Sequence, residues 1–418
     1  MREPAYPGIS RSGWGAMKRK LLRLLDRSLG PLAVSLLIAW ERIRRLPSRV
    51  RPATTGVARG SRQGPVPGRI LVIKIVGLGD TVLMLTPIAS LRRRFPHATI
   101  SVLVTPLSCG IVANQPSINE VIVYDVLRSP GGIRGFMRLV RLLRAKHFDC
   151  IIDCEQYFQM TAVVTYLTGA PRRIGFCFND SLRGKLYTDA VSIDPQCHMV
   201  DSYMRLLEPL GIDSGRIEAL EQVHIDSQER VKVGAWLAGR GIGNGDIVVG
   251  IHAGSGSRAP YKRWDEESFA EIVGRLGRRL GAQVILTGTV SERQMIDRIM
   301  SLSGNRTAHN SGGEFETKQA AVLIERCDLF ISNDTGPMHI AAAVGTPTIG
   351  LFGPESPSRY APVGKRNVSL YKRTPCSPCV EIYRGKVRDC DDPICMRDIS
   401  VEDVWAEILR YDLKRNHI

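Results

Sequence analysis

Aromatic residues are scarce in this chain, at 6% of 418 positions, so it offers few platforms on which nucleic-acid bases could stack. Long apolar runs are also missing. The longest near the N-terminus, Leu29 to Trp40, is interrupted by Gly30 and Pro31 and falls short of the ~20 residues that span a bilayer. No small-residue cleavage site clearly follows it, so a signal peptide is not expected. Acidic residues are sparse at one end: Met1 to Arg69 holds 15 Lys/Arg against 3 Asp/Glu. That segment therefore carries +12 of the net +16, leaving the rest of the chain near +4. A nucleic-acid binder would spread its charge over the folded part, so nucleic acid is excluded as a partner. No Asp-x-Asp follows a strand, as a metal-dependent site would want; Asp389-Cys-Asp391 has the spelling but lies in a cysteine-rich stretch.

What is present divides the chain. Met17 to Arg27 and Glu41 to Arg45 flank the apolar run with basic residues, and Arg51 to Gly68 is a Gly/Pro/Arg linker. Residues 1–68 thus read as a basic N-terminal extension, either a disordered tail or a segment lying on an anionic membrane surface. Folded sequence begins at Arg69. The strand Ile70–Val76, the turn Gly77–Asp80, the helix Thr81–Phe95 and the strand Thr99–Val104 open an alternating series. The strand Val121–Tyr124, the basic amphipathic helix Arg134–Lys146 and the strand Cys150–Asp153 continue it. His198 to Arg240 reads as mostly helical, and a second series runs from Ile247 to Phe352, with a terminal helix over Ser400–Tyr411. The fold class is α/β, as two doubly wound parallel sheets. The expected units are 69–212, a helical connection over 213–245, and 246–418.

Three segments carry candidate chemistry. Asp328 to Pro354 reads as strand, polar turn, short helix and strand. Asp334 or Thr335 would cap the helix, and Gly336 would let a ligand approach its positive N-terminus, which favours phosphate. His252-Ala-Gly254 to Lys262-Arg263-Trp264 is a Gly/Ser loop with a cation for phosphate, or else an ordinary loop with a solvated basic pair. Gly77-Leu-Gly79-Asp80 follows a strand. It lacks the third glycine of a dinucleotide fingerprint, because Val82 stands there, which weakens a nicotinamide oxidoreductase reading. Asp80 is either a cleft carboxylate or a helix N-cap. Glu292, beyond the strand Gln283–Thr287 and Gly288, is either an acid for ribose hydroxyls or a solvent-facing helix residue.

Taken together, the order and spacing of these segments resemble glycosyltransferase family nine, the lipopolysaccharide heptosyltransferases. The matching pieces include Ile70 to Thr81, Leu91 to Pro96, His252 to Trp264, Ser332-Asn-Asp-Thr-Gly-Pro-Met-His-Ile-Ala-Ala342, Leu351 to Pro357 and Cys395 to Ser400. The resemblance implies a GT-B architecture of two Rossmann-like domains facing a cleft. It implies heptose transfer from ADP-heptose to a lipid A-linked core sugar, with inversion and without an essential metal or cofactor. Asp80 then matches the catalytic carboxylate and Lys262 the phosphate-binding lysine. Asp334, Thr335, Gly336 and His339 match the donor-binding block, and Glu292 the ribose-binding acid. Gly79, Thr81, His252, Gly254, Arg263 and Gly288 fall in the donor-binding set. Acceptor contacts fall to Tyr157–Thr168 and Arg172–Gly175. The implied location is cytoplasmic, peripheral on the inner membrane. A relative using another nucleotide sugar stays open. Cys376, Cys379, Cys390 and Cys395 form a C-x₂-C-x₁₀-C-x₄-C group, which is either a structural zinc site or a reduced loop.

Overall fold

The computed structural model describes residues 26, 30–39, 66–125, 133–156, 158–178, 181–256, 259–380 and 390–413. The basic runs Met17–Leu25 and Glu41–Arg45, Tyr157, and Asp389 lie outside them.

Two six-stranded parallel sheets organise the chain. The first joins β1 (Arg69–Ile73), β2 (Thr99–Val104), β3 (Glu120–Val123), β4 (Cys150–Asp153), β5 (Arg172–Cys177) and β6 (Asp189–Ser192) in the order 3-2-1-4-5-6. The second joins β7 (Val248–His252), β8 (Gln283–Leu286), β9 (Ala308–Asn310), β10 (Leu329–Asn333), β11 (Thr348–Phe352) and β12 (Val368–Tyr371). Its order is β9-β8-β7-β10-β11-β12, which repeats the first sheet strand for strand. Each order reverses once, between β1 and β4 and between β7 and β10. A doubly wound sheet opens its ligand crevice at that reversal, beyond the carboxyl ends of the strands. The central strands β1, β7, β10 and β11 are apolar runs buried along almost their whole length, because helices cover both faces.

Residues 30–39 form helix α1. In the first unit follow α2 (Leu78–Arg94), α3 (Pro106–Val112), α4 (Ile133–Ala145), α5 (Gln159–Leu167) and α6 (Met199–Arg205). The helix α7 (Ser227–Ala238) leads to the second unit, with α8 (Glu266–Leu280), α9 (Arg293–Ser303), α10 (Thr317–Glu325), α11 (Gly336–Val344) and α12 (Pro357–Tyr360). The chain closes with α13 (Ile394–Arg397) and α14 (Val401–Arg410). One core runs across both units: Val82 and Leu85 of α2 belong to the same apolar cluster as Met338 and Ile340 of α11.

Several local readings shift. The first strand ends at Ile73, because the N–H groups of Ile75 and Val76 donate to the Glu155 carboxylate at 2.7 and 2.8 Å instead of continuing the sheet. The following helix starts at Leu78 rather than Thr81. Gly77, at φ 89°, makes the turn alone, so Asp80 lies in the first helical turn. The span 198–240 is helical only in α6, a short 3₁₀ turn at Glu208–Leu210, and α7; residues 211–226 contain neither helix nor strand. Of the stretches expected to make acceptor contacts, the first falls mostly on α5 and Arg172–Gly175 falls on β5. Part of the extension is packed rather than separate: Asp26 accepts from the N–H groups of Gln159 and Met160 at 3.1 and 2.9 Å, and Val34 of α1 is fully buried.

Candidate active site

The β1 end supplies an unforeseen cluster. Lys74 follows β1 and is buried, with its Nζ 3.3 Å from Glu155 and 4.0 Å from Asp80. Burial alone would depress its pKa, but the carboxylates of Asp80 and Glu155 outweigh burial and hold it well above the usual lysine value. The shorter contact makes Glu155 the main anchor of the ammonium. Burial raises the Glu155 carboxyl, with Lys74 opposing. Tyr203 of α6 donates its hydroxyl to Asp80 Oδ1 at 2.7 Å. Asp80 is therefore held by a hydroxyl distant in sequence and faced by the ammonium of Lys74 just before the turn, and it does not cap α2, whose N-cap residue is Gly77. A Cβ at Gly77 would lie 2.4 Å from Asp80 Oδ2, so both the backbone angle and the space demand glycine there. Thr81 is fully buried and donates its hydroxyl to the Gly77 carbonyl at 2.9 Å, which turns it into the helix rather than the cleft.

The second unit presents a matching set. Lys262 lies beyond β7 in a 3₁₀ turn and forms an ion pair with Asp334, beyond β10. Burial lowers the lysine and Asp334 more than offsets it, so its pKa is raised. Arg263 holds the loop, donating from Nε to Ser255 Oγ at 3.1 Å. Asn333 fastens the same loop, donating to the Ala253 carbonyl at 2.8 Å and accepting from Trp264 N–H at 3.2 Å. Glu292 is buried, not solvent-facing. Its carboxylate accepts from the N–H groups of Thr289 and Gly256 at 2.9 and 3.2 Å. A Cβ at Gly254 would lie 2.2 Å from Glu292 Oε1, and one at Gly288 would lie 2.8 Å from Ile296, so both glycines make room for that packing. His252, lowered by burial, pairs its Nδ1 with Thr287 Oγ1 at 3.1 Å.

The helix start at Thr335 departs from expectation. Thr335 occupies the N-cap position, but no side chain caps α11: its hydroxyl donates to the Asn333 carbonyl at 3.2 Å instead. The positive end of α11 is thus left without a side-chain acceptor. Gly336 meets the first unit. A Cβ there would lie 3.1 Å from Leu78, and one at Gly79 would lie 2.6 Å from His339 Cδ2. Both glycines serve the approach of α2 to α11. His339 is buried between the units with Nδ1 unpartnered, facing Tyr360 at 6.2 Å, and burial lowers its pKa to about 4. Both Asp80 and Asp334 lie within electrostatic reach of its ring. The two switch points are thereby brought together: β1/β4 offers Asp80, Lys74 and Glu155, and β7/β10 offers Lys262 and Asp334.

Glu355, beyond β11, escaped sequence reading as a site residue. It is 2% exposed, its Oε2 has no partner, and it lies within electrostatic reach of Lys262 and Asp334. Burial pushes its carboxyl up to about 7 from 4.5. The unfolded chain releases this proton near pH 4.5 while the folded one retains it, so the folded state is penalised as pH rises toward 7 and beyond. The penalty approaches about 3 kcal/mol. Glu355→Gln should therefore lose about 2–3 kcal/mol less stability between pH 5 and pH 8 than the parent, read by urea unfolding at both values. An unchanged pH dependence would contradict the burial argument.

Among the described residues, none of the four grouped cysteines is joined in a disulfide. Burial, then Cys379, Cys376 and Cys390 in turn, raise Cys395 to about 11. Among the described residues no three His, Cys, Asp or Glu are arranged to hold a metal ion. The Cys379 N–H donates to the Pro354 carbonyl at 2.9 Å, tying this loop to the backbone beside Glu355.

A family model described as glycosyltransferase family 9 (heptosyltransferase) matches residues 136–385, more than half of the chain. The match begins after Asp80. Lipopolysaccharide heptosyltransferase 2 of Salmonella typhimurium is 27% identical over 306 residues, covering 71% of this chain and 86% of that protein. The crystal structure of a family 9 glycosyl transferase from Veillonella parvula superposes with a TM-score of 0.69 at 26% identity, covering 83% of this chain and 98% of that one. The E. coli heptosyltransferase WaaC, solved with ADP-2-deoxy-2-fluoro heptose, shares the fold, with a TM-score of 0.61 at 20% identity over 82% of this chain and 99% of that one.

Proposed function

The chain belongs to glycosyltransferase family 9 and has its two-sheet GT-B architecture, and from that premise we propose that it moves a heptose from ADP-heptose to a lipid-linked lipopolysaccharide core acceptor. The supporting observation is the pairing of two switch points, one offering a held carboxylate and the other a cation beside an uncapped helix start. In this reading the unit over 69–212 receives the acceptor, 213–245 connects, and 246–418 holds the donor.

Asp80 takes the proton of the acceptor hydroxyl as that oxygen forms its bond to the anomeric carbon. Tyr203 and Lys74 fix the carboxylate so that one oxygen meets the acceptor. The bond from the anomeric carbon to the diphosphate oxygen breaks on the opposite face, inverting the centre, and ADP leaves with the electron pair. Lys262 and the N-terminus of α11 stabilise that growing charge, which removes the need for a metal ion. Lys262 must exchange Asp334 for phosphate, and Asp334 is then released to accept from donor sugar hydroxyls. Glu292, held between Gly256 and Thr289, retains lone pairs for ribose hydroxyls. His252, Gly254, Arg263 and Gly288 shape this pocket, and His339 joins it to the acceptor side. His339 is neutral near pH 7, so it contributes no cation to the diphosphate.

Calorimetric titration with ADP-, UDP- and GDP-sugars tests the donor assignment. ADP-heptose should bind with at least about tenfold preference, equivalent to ~1.4 kcal/mol. Preference for a uridine or guanosine donor would give the site to another nucleotide sugar. Binding should be unchanged by a chelator.

A further inference from the structure

We propose that α1 and α4 together form a membrane-docking face on the first unit, fitted to an anionic lipid surface. Helix α1 is seated on the fold. Asp26 caps the first turn of α5, a Cβ at Gly30 would meet Gln159 at 2.6 Å, and Val34 packs with Ala162, Val163, Leu186 and Tyr187. The same helix turns Leu32 and Leu36 outward, 55% and 62% exposed. Four residues apart, they lie on one side of α1. Helix α4 repeats the design. Its inner side buries Leu139, Val140 and Leu143, while Ile133 and Met137, also four apart, are 81% and 37% exposed. Phe136 of α4 packs against both its own sheet's cluster and the cluster that holds Val34, which ties the two helices together.

Single exposed apolar residues are ordinary, but two pairs on helices sharing one packing residue are not scattered. Charge selects the partner. Helix α4 carries Arg134, Arg138, Arg141 and Arg144 and no acidic residue, and α1 is flanked in sequence by the basic runs of a +12 segment. Apolar residues among arginines suit a headgroup layer, where the side chains insert shallowly and the guanidiniums meet lipid phosphate. Neither helix reaches spanning length, and among the described residues no helix is long and apolar enough to cross a membrane. The proposal extends the lipid-linked acceptor reading by giving the acceptor-side unit a surface to rest on.

Co-flotation of the full-length protein with phosphatidylcholine vesicles, with and without phosphatidylglycerol, tests it in the absence of donor and acceptor. The parent should bind the anionic vesicles and release them at high salt. Leu32→Gln/Leu36→Gln and Ile133→Gln/Met137→Gln should each weaken partitioning about tenfold or more, since each pair withdraws two apolar side chains from the interface. Arg134→Gln/Arg138→Gln/Arg141→Gln should do likewise and flatten the salt dependence. All three sets are on the surface, so melting points and transfer to a detergent-dispersed acceptor should match the parent. If either apolar pair binds vesicles like the parent, the joint face is wrong. If the variants alter sedimentation as oligomers while vesicle binding persists, a second copy of the chain is the occupant and the proposal fails. Loss of transfer in detergent by the parent itself would instead count against the function proposed above, leaving the docking face standing.

Discussion

Asp80→Asn should bind ADP-heptose about as tightly as the parent and transfer it ~10²–10⁴-fold more slowly, the usual range for loss of a positioned general base. The isosteric amide preserves an acceptor for the Tyr203 hydroxyl, so packing of α6 against α2 survives the change. It removes the negative charge that shares Lys74 with Glu155, but the 3.3 Å contact to Glu155 still neutralises that lysine. The fold should therefore tolerate the substitution and the chemistry should not. Turnover and donor affinity measured on the same preparation separate the two. Near-parental turnover would reduce Asp80 to an anchor for Tyr203.

The second large effect is expected at Lys262. Lys262→Ala should lower kcat/KM by about 10²–10³, the size seen when one preorganised donor to a developing oxyanion is removed. Two causes add. The leaving diphosphate loses its cation, and Asp334 is left as a buried carboxylate without its partner, beside the position the phosphates would take. Lys262→Ala/Asp334→Asn should recover part of the donor affinity while transfer stays slow, because the amide relieves repulsion and supplies no charge. Donor affinity and single-turnover rates on both variants would show this. Equal kcat/KM in parent and Lys262→Ala would remove the lysine from the scheme.

Much of the architecture was open to inference because each sheet alternates with helices of clear amphipathic or apolar pattern. The central strands β1, β7, β10 and β11 are continuous apolar runs, and the turns after β1, β7 and β10 carry the charged residues. The edge strands β6, β9 and β12 passed unseen because they are short and only partly buried, so nothing in their composition separates them from loops. At the site, Asp80, Lys262 and Asp334 stand out as charges at strand ends. Lys74 was legible in principle: a lysine inside Ile-Leu-Val-Ile-Lys-Ile-Val must find an anion when buried. Its partner Glu155 is 81 residues away, and Tyr203 is 123 residues from Asp80, so only the fold could name them. The cap expected at Asp334 or Thr335 failed for a local reason. The Asp334 carboxylate is taken by Lys262, and the Thr335 hydroxyl by a carbonyl. The seating of α1 was hidden because its apolar residues serve two neighbours, the protein on one side and the exterior on the other.

The most direct test is a transfer assay with purified protein, ADP-heptose and a lipid-linked core acceptor, in metal-free buffer containing a chelator. Mass spectrometry should find one heptose added to the acceptor, NMR should find the new linkage inverted relative to the donor, and Asp80→Asn should abolish both signals on the same time scale. Retained configuration, an absolute need for added metal, or donor consumed with no heptose on the acceptor would each contradict the account.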